Sequence, residues 1–104
     1  MNGNICSGGS HSLSAKVTTT SKRIINLNTG LKYIRISNLS DKYVYITPSS
    51  KTSGIGAKVG TGIVLAPKGT SGWFIEFNNN SMFYCDFHAI VESGEADLAI
   101  LLGY

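Results

Sequence analysis

From about Leu13 to the end of the chain, apolar and polar side chains alternate with a period of two. This feature most constrains what the sequence can fold into. Alternation of this kind places successive side chains on opposite faces of an extended strand, so one face can be buried while the other meets solvent. No segment carries apolar residues at i, i+3, i+4 and i+7 for long enough to make a helix. The polar residues are mainly Gly, Ser, Thr and Asn, which favour turns and strand edges and are poor helix formers. Strands are expected at 13–19, 23–27, 31–37, 43–47, 62–66, 72–77, 82–92 and 95–102, with turn signals between them. Short strands at this spacing predict an all-β fold, a β-sandwich with a jelly roll preferred over an immunoglobulin-like arrangement.

Two hairpins suggest themselves from cross-strand matching. With Ser93-Gly94 as a two-residue turn, Val91 faces Ala96, Ala89 faces Leu98, Phe87 faces Ile100 and Cys85 faces Leu102. Every pair on that face is apolar or a thiol, as a buried face requires. Around residues 38–42, Ile36 would face Val44 and Ile34 would face Ile46, leaving Tyr33, Arg35, Tyr43 and Tyr45 on one opposite face. Trp73, Ile75 and Phe77 alternate inward, between a Pro67-Lys68-Gly69-Thr70 turn and a turn at residues 78–81. Residues 1–12, rich in Gly, Ser and Asn, read as a flexible arm ahead of a single sandwich domain spanning 13–104. The glycine-rich stretch 49–62 reads as a long surface loop of the kind that often carries function.

At 104 residues, with 42% hydrophobic side chains, the chain can build one core, and disorder throughout is not expected. Charged residues are only 14% of the chain, a sparse surface that suits a protein packed against others. All nine basic residues lie between Lys16 and Lys68, and five of the six acids follow Lys68. Such a split fits a nucleic-acid face or a subunit with complementary sides, unless interleaved strands erase it. Cys6 and Cys85 fall short of a disulfide scaffold and are expected as free thiols. Residues 1–12 lack the apolar core of a signal peptide. The longest apolar stretch, 96–102, contains Asp97 and is too short to span a membrane, so the sequons at Asn38 and Asn79 carry no weight.

Catalytic and cofactor motifs are not found. In Gly54-Ile55-Gly56-Ala57-Lys58-Val59-Gly60 the third glycine falls one place late for a dinucleotide fingerprint, no helix follows, and no Gly-Lys-Ser/Thr closes a P-loop. Gly8-Gly9-Ser10-His11 lacks the closing glycine and the strand-to-helix context of a nucleophile elbow. His88 and Asp86 share a strand face, but Tyr84 and Ile90 add no metal ligand, so a half-buried histidine beside a carboxylate is expected. Glu92 and Glu95 flank a turn, where solvation leaves neither carboxyl poised for acid chemistry. The expectation is therefore no enzyme, no cofactor and no metal. Tyr33, Arg35, Tyr43 and Tyr45 could together form a base-stacking platform, although the basic density is low for phosphate binding. Trp73 could stack on a carbohydrate, but its inward phase favours the core.

Four segments, taken in order, resemble a pattern of small bacteriophage virion proteins. They are Ile34-Arg35-Ile36-Ser37-Asn38-Leu39-Ser40-Asp41, Val44-Tyr45-Ile46, residues 62–70 through Leu65-Ala66-Pro67-Lys68-Gly69-Thr70, and residues 88–98 through Ser93-Gly94-Glu95-Ala96-Asp97-Leu98. The resemblance spans roughly residues 31–102, is weak in the glycine loop, and departs from the pattern at Lys68, where glycine more often follows the proline. It implies a sandwich or jelly-roll accessory protein made in a bacterial host cytoplasm. Such a protein would sit on the virion surface as a capsid decoration or cement protein, binding the major capsid protein as a homo-oligomer. A neck, tail or head-fibre component and a small nucleic-acid-binding barrel are the alternatives. The expected contact residues are Ser7, Ser10 and His11 in the arm, Tyr43 and Tyr45, and Lys51, Ile55 and Lys58 in the loop. The arm could order on a partner and extend the interface.

Overall fold

The computed structural model describes residues 10–25, 32–49, 56–78 and 86–103. They form eight strands: β1 (Ser10–Val17), β2 (Lys22–Ile25), β3 (Tyr33–Asn38), β4 (Val44–Ser49), β5 (Ile63–Leu65), β6 (Phe74–Asn78), β7 (Asp86–Val91) and β8 (Ala96–Gly103). A front sheet has the order β1-β8-β3-β6 and a back sheet the order β2-β7-β4-β5. All the pairings are antiparallel. The pairings β1·β8, β2·β7, β3·β6 and β4·β5 are nested, as if one long hairpin had been rolled up, and β3·β8 and β4·β7 close the roll. This is the jelly roll, two Greek keys wrapped around one core.

Alternation sets the inner faces. In β8, Ala96, Leu98, Ile100 and Leu102 are buried while Asp97 is exposed, and in β7 Phe87, Ala89 and Val91 are buried. Val17, Ile34, Ile36, Val44, Ile46 and Leu98 are 0% exposed. Each contributes about 1.5–3 kcal/mol by leaving water, and branched side chains of this kind pack well on a pleated surface. Ile75 and Phe77 pack against this core, and the Phe77 and Phe87 rings meet with centroids 5.8 Å apart. Trp73 stands just ahead of β6, half-buried, with its ring edge against Phe74.

Both expected hairpins are corrected. β7 belongs to the back sheet and β8 to the front sheet, and β3 and β4 are divided in the same way. Val91 and Ala96 therefore face one core from opposite sheets: Val91 pairs with Val44, and Ala96 with Val17. Period two fixes which side chains point inward, but it does not say whether two inward rows share a sheet or face each other across the sandwich. Among the described residues, β4 and β5 are the only consecutive strands that pair.

The sheet-switching connections are tied by one buried amide. Asn38 is 0% exposed. Its Nδ2 donates to the Lys42 carbonyl (2.6 Å) and the Ala66 carbonyl (2.9 Å), and its Oδ1 accepts from the Ser40 N–H (2.9 Å) and the Ser40 hydroxyl (2.7 Å). Its backbone N–H donates to the Trp73 carbonyl at 2.8 Å, and next to it Leu39 N–H donates to the Asp97 carbonyl at 2.9 Å. The end of β3, the β5–β6 connection and the start of β8 thus meet at one residue. At Gly62 (φ 79°) a β-carbon would press into the Ile46 carbonyl, so β5 reaches β4 only with glycine there.

Candidate functional site

The two outer faces are the surfaces on which this fold can present chemistry. On the front face, Tyr33 and Arg35 project from β3 between β8 and β6. The Tyr33 hydroxyl donates to Glu76 Oε2 at 2.5 Å, and the Arg35 guanidinium lies 4.3 Å from the centre of the Phe74 ring. Burial, then the hydrogen bond to Glu76 and its negative charge, raise the Tyr33 pKa above its ordinary value. At the sheet edge Lys16 Nζ lies 3.4 Å from Glu95 and 3.6 Å from Asp97. The hydrogen bond to Glu95, followed by the charges of Asp97 and Glu95, raises the Lys16 pKa.

The back face differs. Tyr45 of β4 sits in register between Ile90 of β7 and Val64 of β5, all in the outward phase. Val64 is 47% exposed, and Tyr43, just ahead of β4, is 55% exposed. Tyr43 and Tyr45 line an open groove of about 260 Å³ with Lys42, Glu92 and Ser93, where the β3–β4 and β7–β8 connections meet. The Lys42 stem lies where a β-carbon at Gly94 (φ 67°) would stand, which packs one wall of the groove onto the glycine turn. Thr47 and Arg23 flank His88 in register, and Arg23 reaches the buried Asp86 carboxylate at 3.6 Å.

The expected site residues are distributed unevenly over this frame. Tyr43 and Tyr45 come together on the groove. Tyr33 and Arg35 lie on the opposite outer face, so the four-residue aromatic and basic platform expected from the sequence is not formed: β3 and β4 do not share a sheet. Ser10 and His11 stand in β1, opposite Gly103 and Leu102, so the last residues of the expected arm belong to a strand. Lys58 is exposed, and its carbonyl accepts from Thr61. The preceding Ala57 is buried with its N–H bonded to Ser21 Oγ at 2.8 Å, so this part of the loop docks on the β1–β2 connection instead of standing free. Ser7 with the rest of residues 1–9, Lys51, Ile55 and both cysteines lie outside the described residues. Val64, Ile90 and Glu92 are the contact candidates that sequence reasoning missed. Their signal was an outward Val and an outward Ile, each one place out of phase with the core.

Among the described residues no three His, Cys, Asp or Glu side chains are placed to hold a metal. No helix among them is long and apolar enough to cross a membrane. The arrangement defines a jelly-roll sandwich with aromatic side chains on both outer faces, Tyr33 and Phe74 on the front and Tyr43 and Tyr45 on the back. No protein-family model matches the chain, and no curated protein matches it. Among solved structures, one described as "Bacillus endospore appendages form a novel family of disulfide-linked pili" is similar over 91% of this chain and 85% of its own, with a TM-score of 0.48 and 16% identity.

Proposed function

We propose that this chain is a noncatalytic structural protein that packs its back face against other virion proteins, as a homo-oligomeric decoration protein on a phage head. It would be made in the bacterial host cytoplasm and would act on the capsid surface. The observation that carries the reading is the back face itself. Tyr43 and Val64 are about half exposed beside Tyr45 and Ile90, around a groove with a cation and a carboxylate at its rim. Aromatic anchors ringed by polar groups are the usual energetic centres of protein interfaces. The resemblance of residues 34–41, 44–46, 62–70 and 88–98 to phage virion proteins is what supports the major capsid protein as the partner in this reading.

The test mixes the full chain with expanded phage heads stripped of accessory proteins, followed by pelleting and negative-stain imaging. Saturable binding, weakened at least about tenfold by Tyr43→Ser with Tyr45→Ser, is the expected result. Absence of binding would overturn the head reading. Fibres built by the chain alone would also overturn it, in favour of a fibre component.

A further inference from the structure

We propose that β1 is a subunit-pairing edge, at which two copies of this chain join their front sheets through antiparallel β1–β1 pairing about a two-fold axis at Leu13. The inference rests on the assembly role proposed above and names one of its interfaces.

A sheet edge presents a row of unpaired N–H and C=O groups that templates another strand unless it is blunted. Among the described residues, three of the four edges are blunted. β5 has three residues, β2 has four with a register shift between Arg23 and Ile25, and β6 has five. β1 has eight residues in unbroken register with β8, and among the described residues no other strand pairs with it. It contains no proline, and its one lysine, Lys16, is turned back onto Glu95 and Asp97 within the same sheet.

Leu13 marks the register. It pairs with Ile100, a core residue, so its side chain is on the inner side of the sheet, yet it is 46% exposed. The chain thus leaves a leucine in the phase of the core but outside its cover. Residues directly opposite in an antiparallel pair project to the same face, and among the even-sum registers only one sets Leu13 against Leu13 of the second copy. That register sets Ser12 against Ser14 on the outer face, small against small, and brings no two lysines together. The two four-stranded sheets then form one continuous sheet through the dimer. The contact is one strand wide, less than the roughly 1,200 Å² of a standard interface, so a reversible and concentration-dependent dimer is expected.

The register can be tested covalently. Opposite residues in such a pair have Cα atoms about 4.5–5.5 Å apart, inside the range a disulfide spans. In the full chain carrying Cys6→Ser and Cys85→Ser, Leu13→Cys should form a disulfide dimer on mild oxidation, and Ala15→Cys should not. Sedimentation of the unmodified chain should show a monomer–dimer equilibrium that Leu13→Lys weakens at least about tenfold. If Leu13→Cys stays monomeric and Leu13→Lys leaves association unchanged, the β1 edge is refuted, while head binding can still show the assembly role intact. If the chain binds heads but remains monomeric at about 1 mM, the dimer alone is refuted.

Discussion

The two outer faces of this sandwich arise from the same strand spacing but differ in what their side chains meet. On the front face the outward groups find partners within the sheet: Tyr33 with Glu76, Arg35 with Phe74, Lys16 with Glu95 and Asp97. On the back face Tyr43 and Val64 stay about half exposed beside Tyr45 and Ile90, and the groove between them is open. Neighbouring charges and rings stabilise the front face without any second molecule. Leaving the back face wet forfeits the transfer free energy of its apolar area, which a partner would recover. The difference separates substitutions into two kinds, those that cost stability and those that cost association.

The largest effect should come from a residue that serves both faces at once. Asn38 ties β3 of the front sheet to the connections entering β4 and β6. Asn38→Ala leaves the part-buried Lys42 and Ala66 carbonyls and the Ser40 N–H and hydroxyl without this partner, each at up to about 1–3 kcal/mol, so a loss of about 3 kcal/mol is expected. Urea unfolding measures it. Loss of stability together with back-face binding would show that the groove depends on this lock. A change under about 1 kcal/mol would mean that water replaces the amide and that the two sheets are held together by the core alone.

The same residue shows what the sequence made legible. All eight strands could be read from period two, because burying one face imposes that pattern on any half-covered strand. The sheet assignment could not be read. Ile34, Ile36, Val44, Ile46, Val91 and Leu98 are inward under a hairpin and under a jelly roll alike. The choice between the two lies in connections such as 38–42, whose chemistry is side chain to backbone. The motifs at residues 34–41, 62–70 and 88–98 include Asn38, Ser40, Ala66 and Asp97, all of which sit in or beside this lock, so part of what stood out in the sequence is the chemistry of a jelly-roll end. The groove was half legible: Tyr43 and Tyr45 stood out as aromatics, whereas Val64 and Glu92 come near them only once β5 and β7 pair with β4 in the back sheet.

A paired substitution sharpens the contrast between faces. Phe74→Ala removes the ring beneath the Arg35 guanidinium and the edge contact with Trp73. It should cost about 1 kcal/mol or somewhat more, since an exposed cation–π contact is worth about 0.5–1 kcal/mol and some apolar burial goes with it. Tyr43→Ser, at a position 55% exposed, should leave the unfolding midpoint nearly unchanged and weaken partner binding instead. The contrast between the faces would be lost if Tyr43→Ser destabilised the fold as much as Phe74→Ala.

The smallest expected effect is a pH dependence confined to the front face. Burial, with the Glu76 hydrogen bond and charge behind it, makes the folded chain hold the Tyr33 proton beyond the ordinary value of 10.0. Lys16 keeps its proton beyond 10.5 through Glu95 and Asp97. A group whose folded pKa is raised contributes stability that is complete below the unfolded pKa and is lost as pH rises through the folded one. Stability should therefore hold to about pH 10 and decline above it, modestly because both groups are largely solvent-screened. Urea midpoints taken between about pH 9 and about pH 11 should fall in the parent chain and fall less in Tyr33→Phe and in Lys16→Gln. Equal slopes in all three would mean that these front-face contacts add nothing to folding, and the front face would then be as free to meet a partner as the back.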